Sequence, residues 1–466
     1  MEKPKKQRLS ADRIPADLVI SICSRLPAKS IARFRCVSKE WSSTLRRRDF
    51  KDLHLKWSLS RRSLLFTFKL NRLSEAAMDI PEKQLLSETD DQTIPPKTIP
   101  IDLLISIFTK LPAKSVAKSR CVSKQWGSLL RRRDFTDLYL KMSSARPSLL
   151  FTFKLNGKFL FFSAPQPLNP HQDSAPLVAV RHMSFDTDDW SRGIAYAQPV
   201  RGFLCSKEKN PLVVNPTTGQ CITLPTVASN FSGTSYLGYD PISKLFKVLR
   251  VSDDFRVLTL GNGEATWRTI ECSITPFYAD PSGICIDGTV YFLGSRYCIG
   301  IEDNTVLFYF DVRSETCKFL RVEGKISLCS TLVNFKGKLG AILPDGLTRF
   351  YSGNTTKLEL WVLDDVEDEK WSVHVYELPP SWKSLVVVGN ASLYIAGMTR
   401  AGEIVFSLAP YQVEDVPFCI YYYNVVRNTV VRVEIQFGMV IPKFDKIHTF
   451  VDHVEDVKLL EVLGMP

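Results

Sequence analysis

The chain has 466 residues, 45% of them hydrophobic and 23% charged, with a formal net charge of +11; this is ordinary globular composition at a length that holds two or three domains. No apolar run approaches the about 18–20 residues needed to cross a bilayer as a helix, which excludes a helical membrane protein. The cysteines number eleven, with irregular spacing and no CxxC pair, which excludes a disulfide scaffold or zinc ribbon and fits reduced, buried thiols.

The N-terminal stretch MEKPKKQRLSADR is basic with no apolar segment behind it, so it does not read as a secretory signal, and cytoplasm and/or nucleus is the expected location. Residues 14–71 and 99–156 then align without a gap, with roughly 40 of 58 positions identical. CVSKEW at 36–41 returns as CVSKQW at 121–126. Each copy opens with a proline suited to a first helical turn, Pro15 or Pro100. An apolar stripe follows at steps of four: Leu18, Ile22 and Leu26, then Leu103, Ile107 and Leu111. Pro27 and Pro112 stop it. A second short helix is expected over 30–35 and its repeat. Ser38 and Ser123 suit the N-cap of a third helix carrying Trp41 or Trp126. LRRRDF at 45–50 and 130–135 reads as a solvated helix end. Three helices in about 40 residues bury little surface and leave apolar side chains for a partner.

Charge is uneven along the chain. Residues 1–156 hold 32 Lys/Arg against 15 Asp/Glu, and the remainder is net acidic. A basic helical unit suits either nucleic acid or an acidic protein. Between the copies, residues 72–98 are acidic, polar and end near Pro-Pro, which reads as a flexible linker.

From about residue 148 the pattern changes to short runs rich in Val, Ile, Phe and Tyr: SLLFTFKL, KFLFFS, PLVVNP, LFKVLRV, FRVLTL, GTVYFLG, TVLFYFDV, LELWVLD, WSVHVYEL, EIVFSL and FCIYYYNVV. Turn residues punctuate them. Phrases such as LVVNPTTGQCITLP and FYFDVRSETCKFLRV read as two outer strands of a blade joined by a polar turn. At about 45–50 residues per blade, a six- or seven-bladed propeller is expected. Trp267, Trp361, Trp371 and Trp382 fall in strand or strand-edge contexts and read as core. The spacing of His448 and His453 does not suggest a metal site. No nucleophile elbow, HExxH or GxGxxG motif occurs.

The duplicated cassette resembles the F-box, whose pattern runs approximately L-P-x-D-L-L-x-E-I-L-x-R-L-P-x-K-S-L-x-R-F-R-x-V-S-K-x-W. LPAKS, RCVSK and the tryptophan stand in both copies. Ser21 and Ser106 depart from the usual Glu, and Ser119 departs from the Phe that Phe34 keeps. The strand-rich part is similar to the plant F-box-associated domain in LVVNPTTGQCITLP, LGYDPISKLFKVLRV and ICIDGTVYFLG. The resemblance implies a multidomain α plus all-β chain: a first F-box at 10–56, an orphan strand copy and linker at 57–98, a second F-box at 99–141, and a propeller-like recognition domain at 148–466. It implies the non-enzymatic substrate-recruiting subunit of an SCF-type cullin–RING ubiquitin ligase. A Skp-type adaptor, and through it cullin and RING subunits, would bind the F-box; an unidentified protein substrate would bind the β domain. No cofactor, metal, membrane or nucleic-acid partner is implied. Carried over by position, adaptor contacts are Ile14, Pro15, Leu18, Ile22, Leu26, Val37 and Trp41, and Ile99, Pro100, Leu103, Ile107, Leu111, Val122 and Trp126. The alternatives are a propeller enzyme or non-ligase scaffold that uses the F-box only for docking, or a fused gene model.

Overall fold

The computed structural model describes Ile20, Cys23, Ser24, Ile31, residues 39–59, and residues 101–460 apart from 171–174, 187–196, 207–210, 228–232, 262–265, 296–304, 323–325, 387–391, 410–416, 442–446, Thr275, Phe277, Leu347 and Val440. By its internal contacts the chain divides after Leu130 into a helical N-terminal unit and a C-terminal unit.

In the N-terminal unit, α1 (Lys39–Thr44) and α2 (Arg48–Leu59) belong to the first cassette. The second cassette supplies α3 (Ile101–Phe108), α4 (Ala113–Arg120) and α5 (Lys124–Leu129). These are the three helices that its prolines and caps predict. Ser123 accepts a hydrogen bond from the Trp126 backbone N–H at 3.1 Å and so starts α5. Leu104, Ile107, Phe108, Leu111, Val116, Trp126 and Leu129 are buried. The Phe108 and Trp126 rings meet edge to face at 4.8 Å. The helices expected before α1 and the strand copy at 63–71 lie outside the described residues, apart from Ile20, Cys23, Ser24 and Ile31.

LRRRDF departs from expectation. It joins α1 to α2, and it joins α5 to a further helix, α6 (Arg133–Ser144), that belongs to the C-terminal unit. Arg47 forks onto Asp49 and Arg132 onto Asp134, with Nε–Oδ1 distances of 3.2 and 3.0 Å. Each aspartate sits in the first turn of the helix that follows, where a carboxylate is favoured by the helix dipole. The basic run suggested a helix end; the aspartate behind it makes a helix beginning.

The rest of the C-terminal unit is a six-bladed antiparallel propeller. Blade one holds β1 (Ser148–Leu155), β2 (Lys158–Pro165) and β4 (Val180–Asp186); the short β3 (Leu177–Val178) pairs elsewhere. Blade two holds β5 (Leu204–Cys205), β6 (Leu212–Asn215) and β7 (Gln220–Thr223). Blade three holds β8 (Thr234–Asp240), β9 (Leu245–Val251), β10 (Phe255–Leu260) and β11 (Arg268–Ile270). Blade four holds β12 (Tyr278–Ala279), β13 (Ile284–Ile286), β14 (Thr289–Ser295), β15 (Thr305–Asp311) and β16 (Thr316–Arg321). Blade five holds β17 (Thr331–Phe335), β18 (Lys338–Ile342), β19 (Lys357–Asp365) and β20 (Lys370–Glu377), followed by α7 (Ser381–Val386). Blade six holds β21 (Leu393–Met398), β22 (Glu403–Leu408), β23 (Cys419–Asn424) and β24 (Thr429–Gln436), with β3 added in parallel outside β24. Last comes β25 (His448–His453), which returns to blade one and pairs with β1 through Leu150↔Phe450 and Phe151↔Thr449. The C-terminal strand therefore takes the inner place of the first blade, and β1 is second in its sheet. β25 thereby covers the inner side of β1, which would otherwise stand as an open sheet edge.

Apolar residues of neighbouring blades form the core. Phe437 meets Phe151, Phe153 and Phe162 edge-on at 5.3, 5.5 and 5.3 Å. Trp382 is buried, packs on Phe406, and donates Nε1–H to the Ser352 carbonyl at 2.9 Å. Trp361 and Trp371 are half-buried neighbours, their ring centroids 6.5 Å apart. Blade two is the reduced one: its inner strand shrinks to a single bridge, Val200↔Phe203.

Candidate functional site

Of the adaptor positions carried over by resemblance, Ile14, Pro15, Leu18, Ile22, Leu26, Val37, Ile99 and Pro100 lie outside the described residues. Trp41 falls in α1 and Leu103 in α3. Ile107, Leu111 and Trp126 are buried within the N-terminal unit, so packing that unit is one of their tasks. Val122 is half-buried, and Ile101, which the sequence reading did not single out, is 45% exposed. Among the described residues of this unit, Ile101 in the first turn of α3 and Leu55 in α2 are the large apolar side chains left exposed. Ser119, standing where the family pattern has Phe, is buried and donates its hydroxyl to the Ser115 carbonyl at 2.8 Å. The helix back-bond satisfies the hydroxyl there.

In the C-terminal unit, α6 is fastened to the propeller. Phe135, Tyr139 and Leu140 are buried. The Tyr139 hydroxyl donates to Glu455 at 3.2 Å, and the Glu455 N–H donates to Ser143 Oγ at 2.7 Å. Arg400 donates to the Ser144 carbonyl at 2.8 Å, and Lys244 pairs with Asp137 at 3.3 Å. Burial and Glu455 push the Tyr139 phenol well above its ordinary range. Replacing Tyr139 by Phe is expected to cost about 1 kcal/mol and lower the melting temperature by about 2 °C. Differential scanning calorimetry checks this.

Antiparallel order gives the propeller two unlike ends. One end carries α6 and tight turns. Arg201-Gly202, Asp287-Gly288 and Lys336-Gly337 have positive φ at both residues, the two-residue hairpin geometry that matches strand twist. Five other turns there share one device: Asn215, Asp240, Asp311, Asp365 and Asn424 each accept from backbone N–H groups two or three residues on. At the other end lie the strand ends between which most of the longer stretches of sequence run, such as those following Cys205, Thr223, Ser295, Ile342, Glu377 and Leu408. At that end Arg349 reaches Asp280, Ser282 and the Leu328 carbonyl, and the Tyr236 hydroxyl donates to the Asp280 carbonyl. This ties the connections of blades four and five. Gln198 bridges blades two, four and six, its backbone N–H on the Gly283 carbonyl at 3.2 Å and its side-chain amide on the Ala396 carbonyl at 2.9 Å.

A cavity of about 430 Å³ lies under α6, lined among others by Asp137, Lys141, Arg201, Arg400, Asp452 and His453. Its carboxylates already have structural partners. Asp452 accepts from Gln166 at 2.6 Å and from the Arg400 N–H at 2.7 Å. Asp137 is held by Lys244. Burial pushes the nearby Asp456 up to about 6 and the His453 imidazole down to about 3. Among the described residues, no group of three or more His, Cys, Asp or Glu is placed to hold a metal ion.

A closed propeller with a helical cassette leading into its first strand defines the class. The model of the F-box associated beta propeller domain matches residues 148–454, and that of the F-box domain matches twice, at 12–53 and 98–138. The chain belongs to the F-box proteins with an F-box-associated propeller. It is 40% identical over 388 residues to F-box protein At5g65850 of Arabidopsis thaliana, covering 80% of this chain and 94% of that protein. It is 40% identical over 381 residues to F-box protein DOR of the same plant, covering 78% and 94%. F-box protein At3g47030 is 39% identical over 386 residues, covering 79% and 92%. Nearly all of each relative is thus matched by about four-fifths of this chain.

Proposed function

We propose that this chain recruits substrates to an SCF-type cullin–RING ubiquitin ligase. The carrying observation is an F-box matched twice, ahead of an F-box-associated propeller. A Skp-type adaptor binds the helical cassette, and the cassettes' basic charge suits an acidic adaptor. The protein substrate binds the propeller end that carries the long connections, because loops on a rigid scaffold are the usual carriers of recognition. The ligase chemistry belongs to the partners, and the complex works in cytoplasm or nucleus. The second cassette serves the propeller more directly, since its chain runs from Leu130 straight into α6 and β1.

The test is co-purification of the full chain with a Skp-type adaptor. Ile101→Asp together with Val122→Asp, in a chain that lacks the first cassette (residues 1–96), places charge on exposed and half-buried positions and is expected to weaken binding at least tenfold. A charge forced into an apolar contact costs more than the about 1.4 kcal/mol this represents. Adaptor capture by residues 148–466 alone, at full-chain strength, overturns the proposal.

A further inference from the structure

We infer that the site on the propeller held by residues 133–156 also accepts residues 48–71 of the same chain, so that either cassette is able to adjoin blade one. The site has two parts. One is the place of α6, held by buried Phe135 and Leu140, by Asp137 on Lys244, and by Ser143 on the Glu455 N–H. The other is the place of β1, between β25 and β2. The first cassette carries Phe50, Asp52, Leu55 and Ser58 at the four α6 positions, and residues 63–71 repeat SLLFTFKLN of 148–156 without a change. α2 already has the helical span that α6 has, displaced by the 85-residue repeat. Leu55 of α2 is 58% exposed, whereas its counterpart Leu140 is buried.

In the exchanged form, Asn71 takes the place of Asn156 and the chain loops out before returning at Lys158. The entropy of such a loop grows only with the logarithm of its length. Two substitutions disfavour the exchange. His54 replaces Tyr139 and loses the bond to Glu455, and Lys51 replaces the buried Thr136. The second cassette therefore holds the site in the unaltered chain, and the first is a latent substitute. The inference does not depend on adaptor binding, and its test contains no adaptor.

The experiment places Phe151→Asp in the full chain and in a chain lacking residues 1–96. Phe151 is fully buried against Phe418 and Phe437. The shortened variant is expected to lose its cooperative thermal transition, the full-length variant to keep it, and full-length Phe66→Asp/Phe151→Asp to lose it again. Equal loss in the full and shortened single variants overturns the inference. A cross-link decides in every case, including tolerance of Phe151→Asp. Thr152 faces His448 in the β1–β25 register. Thr67→Cys with His448→Cys, in the full-length Phe151→Asp chain, is expected to yield the 67–448 disulfide under copper-catalysed oxidation, read by peptide mass spectrometry. Its absence overturns the inference.

Discussion

Deletion of residues 447–466 is expected to abolish the propeller's cooperative unfolding transition and leave an aggregating chain. Ile447, Phe450, Val451, Val454, Val457 and Leu460 are all buried. At about 1.5–3 kcal/mol each, their burial amounts to about 9–18 kcal/mol as an upper bound. The whole stability of a typical domain is about 5–15 kcal/mol. The deletion also strips β1 of its inner neighbour and leaves a long apolar edge open to pairing with other chains. Calorimetry and light scattering read both effects. A shortened chain melting within a few degrees of the intact one would remove β25 from its role as the closing strand.

The second large effect is a compensation in acid. His453 has its folded pKa lowered to about 3 by burial and by His182, from an ordinary 6.5. Unfolding takes up a proton there, so stability falls as pH drops below 6.5, by about 2 kcal/mol between pH 7 and 5. Asp456 is raised by burial from 3.8 to about 6. The fold takes up that proton before the unfolded chain does, so stability rises by about 1.3 kcal/mol over the same interval. Asp452, also raised by burial, acts in the same direction. The intact protein is therefore expected to change little between pH 7 and 5. Asp456→Asn should unmask the His453 loss, with the melting temperature falling over this range. His453→Gln should reverse the trend. Parallel pH profiles for all three chains would count against both groups.

The strands that the sequence revealed are those whose own residues carry the signal. SLLFTFKL, LFKVLRV and FCIYYYNVV are dense in β-branched and aromatic residues and appear as β1, β9 and β23. The outer-strand phrases were legible too, because an Asn or Asp that caps its own turn sits between their runs, as at β6–β7 and β15–β16. HTFVDH gave no such signal. It is two-thirds polar, and only ring closure buries it as β25. KLGAI and LYIAGM hide behind their glycines; in β18 a Cβ at Gly340 would press on Leu360 and Val333 at 2.9 Å. The choice between six and seven blades was open because blade two has almost no inner strand. In the cassettes, Ile107, Leu111 and Trp126 were legible as apolar helix positions. Packing and docking place the same residue types at the same spacing, and exposure at Ile101 and Val122 separates the two only in three dimensions.

The bond between Ser148 and His453 joins residues 305 apart. At about 5–20 residues per second, a ribosome needs roughly 15–60 s to travel from one to the other. The helices ahead of β1 leave the exit tunnel complete long before the ring has its last strand, so the F-box unit is on hand before any finished propeller. During that interval β1 and the blades behind it form an unfinished arc, and a holding chaperone covering β1's bare side would keep nascent chains on the same polysome from zipping together.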